Sequence, residues 1–492
     1  MNLRRLIIAL TFLSIFTMAS RVSIDTDTWW HLRTGKFIAE NREVPKTDPF
    51  SHTRADEPWT YPSAAWLSEL RLYMIYDRLG PGAVNLWVAA AVTATFAVLY
   101  LTLSAGPFLR AFVLILAAAT SSVFWAARPH ISSFFFSAVF LWLLEDYRKG
   151  NTRRLYLLPI VMLVWVNSHP GFAIGFLLLA IYIIDRLLEV LGETISKQEN
   201  FSKGSFLAGV KDQLGGLFIA SFFVLLAAML NPLGPAILAY PFETLSIGIL
   251  RDFIQEWQSP NFHNTDMLPF LAMLVLCIVV LGASQKKIRV SDFLLLVIFA
   301  TMSLLAARNI AQFALVAAMV LARHARPLLD DLAKRFGVLM DTTVAPTKSQ
   351  SILNWSLLII LVTTALIRIS AILPVATNEE AFAQQVPVRA VEYLQSEKLS
   401  GKLLNSYNWG GYLIWTLPEN AVFVDGRTDL YDDELLTEWL AIVSAESGWQ
   451  DLLDKREINL ILLEPEWPIV ANLENEGWKL NFEDNQAVIY TR

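Results

Sequence analysis

Continuous apolar blocks, separated by polar breaks that range from a few residues to the long loop 21–85, run from residue 6 to residue 373, and there the pattern stops. A soluble core scatters its apolar residues with helical or strand periodicity, whereas uninterrupted runs approaching 20 residues mark helices that cross a bilayer. The apolar cores lie at 6–20, 86–103, 111–125, 131–144, 155–166, 172–184, 214–230, 268–281, 293–307, 310–322 and 352–373, which predicts about eleven transmembrane helices. Runs near Pro235 and Ile247 read as re-entrant or interfacial segments. The first block follows Met1-Asn2-Leu3-Arg4-Arg5 as in a signal peptide, but Met18-Ala19-Ser20-Arg21 is a weak cleavage site, so an uncleaved first span is expected. Within the long loop 21–85, residues 64–76 are patterned as an amphipathic helix, either framing a lipid-access groove or simply covering the bundle.

Beyond residue 373 the apolar runs shorten and charge rises. Helix-like stretches (386–394, 433–443, 450–456) alternate with strand-like ones (421–425, 459–463, 487–491). The chain is therefore predicted to be an α-helical polytopic membrane bundle over 1–373 with a small C-terminal α/β domain over 374–492. The linkers around 192–204 and 341–351 are polar and read as flexible.

Basic residues orient the bundle. Arg4 and Arg5, Arg148 to Arg154, Lys197 to Lys211, Lys286 to Arg289, and Arg323 to Arg335 all fall on one side if every block crosses, and that side is cytoplasmic by the positive-inside rule. The other face then receives Asp25 to Arg33, Arg128-Pro129-His130, Asn167-Ser168-His169-Pro170-Gly171, Asn231-Pro232, Glu256-Trp257, Arg308-Asn309 and the whole C-terminal domain. Clusters that converge on one face argue for a single extracytoplasmic site. The 492 residues are 55% hydrophobic and 17% charged, with a formal charge of −6, so nothing points to a nucleic-acid partner. The single cysteine, Cys277, lies in an apolar run and reads as packing.

The richest cluster is Asp25-Thr26-Asp27-Thr28-Trp29-Trp30-His31-Leu32-Arg33. Thr26 or Asp27 can cap a helix over 29–40; equally, an acid partly desolvated at the bilayer mouth can act as a general base with a raised pKa. Asp27 and His31 are four apart and so share a helical face, with Arg33 near. Asp25 and Asp27 are also candidate Mg or Mn ligands, since those ions prefer oxygen. Trp29 and Trp30 suit either substrate contact or an interfacial belt. Arg128, His130 and Arg308 suit a phosphate or pyrophosphate, because guanidinium binds phosphate bidentately, although Arg128 can instead snorkel to the interface. Asn167 and His169 end a span, where they either cap it or bind substrate. In the tail, Asn408-Trp409-Gly410-Gly411-Tyr412 permits a close backbone approach, and Asp425-Gly426-Arg427 ends a strand where ligands often bind. A structural Asp425–Arg427 pair is the alternative.

These residues resemble the type C (GT-C) glycosyltransferases. The stretch from Asp27 to Arg33 is similar to the first-loop Asp-x-Trp-aromatic-x-x-Arg of oligosaccharyltransferase catalytic subunits, and Asp48-Pro49-Phe50-Ser51, Arg128-Pro129-His130, Asn167 with His169, residues 408–412 and Asp425-Gly426-Arg427 resemble a group of bacterial GT-C-like membrane proteins of largely unassigned substrate. The resemblance implies a multi-pass protein of a bacterial cytoplasmic (inner) membrane, taking a polyprenyl-phosphate sugar and passing it to a lipid, glycan or protein acceptor. It makes Asp27 the catalytic-loop acid, with Asp25 and His31 beside it, and places Trp29, Arg33, Asp48, Arg128, His130, Asn167, His169, Arg308, Asp425 and Arg427 against substrate. Two departures stand out. Loop 126–130 has no Asp-x-Glu pair, and Tyr407-Asn408-Trp409-Gly410-Gly411-Tyr412 stands where oligosaccharyltransferases carry Trp-Trp-Asp, so single-sugar transfer to a hydroxyl is expected over asparagine glycosylation. The rival readings are a glycan ligase or polymerase and a non-enzymatic envelope-binding scaffold. A transporter ranks last, because ionisable residues are nearly absent from mid-span.

Overall fold

The computed structural model describes residues 1–197, 202–246, 248, 254–336 and 345–492. Each of the eleven expected apolar cores lies on a helix. In chain order the bundle helices are α1 (Leu3–Ala19), α2 (Thr28–Asn41), α3 (Tyr61–Leu79), α4 (Pro81–Thr102), α5 (Pro107–Ser121), α6 (His130–Arg148), α7 (Leu158–Val166), α8 (Ala173–Lys197), α9 (Lys203–Ala228), α10 (Tyr240–Ser246), α11 (Leu268–Ala283), α12 (Val290–Leu305), α13 (Ile310–Arg335) and α14 (Lys348–Ile372). Among the described residues, five helical stretches are long and apolar enough to cross a membrane by length and composition alone: Pro81–Thr102, Pro107–Phe124, Lys203–Ala228, Thr265–Ala283 and Lys348–Ile372. The other apolar cores sit on shorter or more charged helices. Near Pro235 the chain forms a short 3-10 turn (Gly234–Leu238), while Ile247 lies outside the described residues. The expected linkers shrink, since α8 runs to Lys197 and α14 begins at Lys348; residues 198–201 and 341–344 lie outside the described residues.

Proline and glycine punctuate the helices. Gly80, at a φ of 79°, ends α3, and Pro81 opens α4 with the fixed φ that suits a first turn. Helix α13 is the centre of the bundle: every residue from Ile310 to His324 is buried, and its alanines let α5, α11 and α12 pack closely against it. By contrast α14 buries only Asn354, Ala365 and Ile372 and rests mainly on α1, as a lipid-facing helix does.

The first loop is helical. α2 and α3 pack on each other, and α3 buries one stripe of Pro62, Ser63, Ala64, Ala65, Ser68, Glu69 and Leu72. After α14 come α15 (Val375–Ala383) and α16 (Val388–Glu397), then a four-stranded sheet with α17 (Gly410–Thr416), α18 (Asp433–Val443) and α19 (Trp449–Lys455). The strands β1 (Leu403–Asn405), β2 (Leu460–Leu463), β3 (Lys479–Glu483) and β4 (Val488–Thr491) are ordered β1-β2-β4-β3, with β1 and β2 parallel and the other two pairings antiparallel. The wholly buried run Leu-Ile-Leu-Leu of β2 is one of the two inner strands.

One strand expectation is corrected. Residues 421–425 do not join this sheet; Val422 pairs with the first loop, donating its N–H to Phe50 O (3.2 Å) and accepting from His52 N–H (3.0 Å). The C-terminal domain is thereby stitched to the loop that carries the candidate acid.

Candidate active site

Four separate segments build the site. Residues 22–28 lead into α2, and Asp27 sits at its N-cap with no side-chain capping bond. Asp25 shapes this entry as an Asx turn, its Oδ1 accepting from the Asp27 N–H at 2.9 Å. Loop 126–130 lies alongside: Ala127 N–H donates to Ser23 Oγ (2.8 Å), and Thr28 Oγ1 donates to Ala127 O (3.3 Å). The third segment carries Glu256 and Trp257, and the fourth is the turn at Arg308, joined to it by Ala307 N–H to Gln258 O (3.0 Å).

Arg128 gathers them. Its Nη2 stands 3.0 Å from Asp27 Oδ2, and its Nη1 stands 3.5 Å from Asp25 Oδ2 and 3.3 Å from Glu256 Oε2. Glu256 Oε1 also faces Arg308 at 3.7 Å, and the Arg308 guanidinium lies over the Trp257 ring, 4.1 Å from its centroid. The two partly buried acids are driven apart. Burial raises Asp27 to about 7, helped by the charges of Asp25 and Glu256 and opposed by Arg128. Burial also pushes Glu256 upward, but Arg128 and Arg308 outweigh it and hold that carboxyl at about 2. One group thus stays ionised while its neighbour can take or give a proton near neutral pH.

The C-terminal domain closes over Asp27. A Cβ at Gly426 would lie 1.8 Å from Asp27 Oδ1, and one at Gly411 would lie 2.9 Å from Thr26 O. Only glycine lets the 410–411 and 425–427 backbones come this near, which is the close approach the paired glycines suggest. Beside them Asp429, raised to about 6 by burial, accepts from the Tyr240 hydroxyl at 2.9 Å.

The structure divides the remaining predicted site residues. His31 and Asp27 do not act on one face: Asp27 meets Arg128, whereas the fully buried His31 places Nδ1 3.0 Å from Glu69 Oε1, and burial holds its pKa well below the usual histidine value. His130 binds Phe124 O through Nε2 (2.6 Å), and its ring centroid lies 6.4 Å from that of His169. His169 accepts the Gly171 N–H on Nδ1 (3.0 Å) and meets Ser133 Oγ there (2.8 Å), so its proton sits on Nε2. These histidines lie beside the Arg128 cluster.

Other expected substrate contacts are internal fastenings. Trp29 is buried among Tyr76, Phe382, Tyr412 and Trp415, gluing the loop helices to the C-terminal domain. Arg33 lies over the Phe50 ring at 5.9 Å. Asp48, Asp425 and Arg427 are fully buried together: Arg427 binds both carboxylates and Tyr431, stacks on Trp59 at 4.7 Å, and so clamps loop to domain. Asp425 and Arg427 thus form the buried ion pair that was the alternative to a ligand contact. Asn167 is likewise spent. Its Oδ1 accepts from Trp66 Nε1 (2.8 Å) and Asn231 Nδ2 (3.2 Å), and its Nδ2 donates to Leu163 O and Leu230 O. It borders an apolar cavity of about 550 Å³ lined by Trp66, Leu67, Leu163, Val164, Met229 and Leu230, which shares no residue with the acid cluster.

At Asp25 and Asp27, the expected Mg or Mn ligands, one oxygen of each faces the Arg128 guanidinium, at 3.5 and 3.0 Å. Among the described residues no group of three or more His, Cys, Asp or Glu side chains is arranged to hold a metal. Sequence reasoning gave no role to Glu256, Glu69 and Asp429. The signal for Glu69 was present: it breaks the otherwise uncharged buried stripe of α3.

No protein-family model matches the chain, and no curated protein matches it significantly. Solved structures do. The chain is similar to the archaeal oligosaccharyltransferase AglB from Archaeoglobus fulgidus, solved in complex with an inhibitory peptide and a dolichol-phosphate (TM-score 0.56, 11% identity, 93% of this chain and 69% of that one). It is also similar to ArnT from Cupriavidus metallidurans bound to undecaprenyl phosphate (TM-score 0.50, 12% identity, 98% and 96%). A third likeness is to the mycobacterial arabinofuranosyltransferase AftD (TM-score 0.53, 12% identity), where all of this chain covers 40% of that one. The chain is a multi-pass membrane protein with the GT-C fold.

Proposed function

We propose that the chain is a glycosyltransferase of a bacterial cytoplasmic membrane, moving a sugar from a polyprenyl-phosphate donor to a hydroxyl acceptor on the extracytoplasmic side. The fold is common to transferases solved with dolichol-phosphate and undecaprenyl phosphate. The observation that carries the reading is Asp27, a half-buried carboxyl raised to about 7 where four segments meet.

The donor phosphate binds Arg308, the more exposed guanidinium, with Arg128 behind it. Asp27 accepts the proton of the acceptor hydroxyl as that oxygen bonds to the anomeric carbon. The bond from that carbon to the phosphate oxygen breaks, and the electron pair leaves with the lipid phosphate, stabilised by Arg308. A single displacement of this kind inverts the anomeric centre. Glu256, ionised throughout, holds both arginines in place.

The test is transfer of label from polyprenyl-phosphate sugars in membranes holding wild type or Asp27→Asn. Loss of at least about a hundredfold in an equally folded variant supports the assignment. Full transfer by Asp27→Asn removes Asp27 from the mechanism, and absence of transfer by wild type across donors favours an envelope-binding scaffold.

A further inference from the structure

At the acid cluster three carboxylates gather round one positive side chain. Three carboxylates from two segments that are remote in sequence, Asp25, Asp27 and Glu256, direct one oxygen each at a single guanidinium. Left without a positive centre, three carboxylates this near would repel one another or draw in a divalent ion. Loop 126–130 (Ala126-Ala127-Arg128-Pro129-His130) supplies no carboxylate to them, only the arginine.

We propose that Arg128 is the cation that balances the three carboxylates of this site, so that the protein binds no metal there and works without one. The inference rests on the transferase reading only for its last clause; occupancy of the acid cluster stands independently.

Arg128 is fixed rather than poised to swing. Its N–H bonds Ala126 O (2.9 Å), its O accepts from Ile131 (3.3 Å), and the preceding residue is tied to Ser23 and Thr28. Pro129 restricts the backbone that follows. Among the described residues three carboxylates face Arg128 and Arg308, and Asp27 in its acid form leaves two negative charges against two positive ones. A divalent ion added to Arg128 would need these oxygens to leave their hydrogen bonds and contract to about 2.1 Å around it.

The experiment is Mn²⁺ binding to the purified full chain in detergent, read by electron paramagnetic resonance, alongside sugar transfer after exhaustive EDTA treatment. Wild type is expected to show no stoichiometric Mn²⁺ and to keep its full rate in EDTA. Arg128→Ala is expected to gain one bound Mn²⁺, lost again in Arg128→Ala/Glu256→Gln. If the alanine variant does not fold, Arg128→Gln reads the same gain with length and polarity preserved. Stoichiometric Mn²⁺ in wild type that disappears in Asp27→Asn overturns the proposal, as does a folded Arg128 variant that gains none. Mn²⁺ binding is read without any sugar donor, so failure of this proposal is distinct from failure of the transferase assignment.

Discussion

Two polar clusters lie at opposite ends of the same helices, and they are built to different rules. At the C-terminal end of α6 and the start of α12, Glu145 and Asp292 bind Arg323, with His324 on Asp292 (3.2 Å), Tyr182 on Glu145 (2.8 Å) and Arg289 nearby. Next to them Asp185 and Glu189 of α8 take Arg148 and Arg186. Four carboxylates meet four guanidiniums, and Glu145, Asp185 and Asp292 are at most 2% exposed. About 28 Å away along α6, Asp25, Asp27 and Glu256 share, among the described residues, Arg128 and Arg308, and all five are partly open to solvent. A charge-matched network with a buried centre (Glu145, Asp185, Asp292 and Arg323) and an open rim (Glu189, Arg186 and Arg289) holds helices together. An incomplete one at a mouth leaves an acid whose protonation is unsettled and a guanidinium with donors to spare. The difference separates architecture from chemistry without reference to any relative.

If that division is right, equivalent substitutions at the two ends have different consequences. Arg323→Ala leaves Glu145 and Asp292 buried without their cation and should cost about 3–5 kcal/mol of stability. The thermal midpoint in detergent should fall steeply, while the folded remainder keeps its transfer rate. At the other end, Gly426→Ala drives a methyl into the Asp27 carboxylate. It should lower the transfer rate by up to about a hundredfold, the order expected when a reacting group is displaced by about 1 Å, with little change in midpoint. Arg308→Ala should lower kcat/KM for the donor by about tenfold, weakening donor binding and slowing departure of the phosphate, consistent with the loss of one charged hydrogen bond, again with the midpoint unchanged. A stable Arg323→Ala protein with a crippled rate would erase the contrast.

The sequence made the bundle legible because membrane spans are read locally: each expected apolar core is a helix. It also marked Asp27, Arg128 and Arg308 as members of one face, which the structure brings together. What it did not distinguish is a charge that faces solvent from one that faces a distant segment. Asp48 and Arg427 are 379 positions apart, and nothing near either of them announces their pairing. The same limit hid the destination of Val422, whose partner is Phe50 and not a strand of the sheet. β1 and β3 went unread because the first has only three residues and the second is a half-exposed edge with no run of apolar positions. Trp29 looked like a ligand contact because the aromatic nest around it is assembled from α3, α15 and α17.

The smallest effect is the one that decides between acids. If Asp27 is the base, its ionised form is the active one, so kcat/KM should rise with pH, reach half its plateau near pH 7, and fall about tenfold per unit below that. The sign follows from burial first: it disfavours the carboxylate and raises the pKa, and Asp25 and Glu256 add to the rise while Arg128 opposes it. His31 predicts otherwise. Burial holds it well below the ordinary histidine value, so a His31 base would be neutral at pH 7 and the profile would show no midpoint there. Glu256→Gln then sharpens the assignment, because removing that negative neighbour should move the midpoint to lower pH by about half a unit. A midpoint near 7 that does not move when Glu256 is neutralised would assign the titration to a group outside this cluster, and the contrast between its two ends would lose its chemical half.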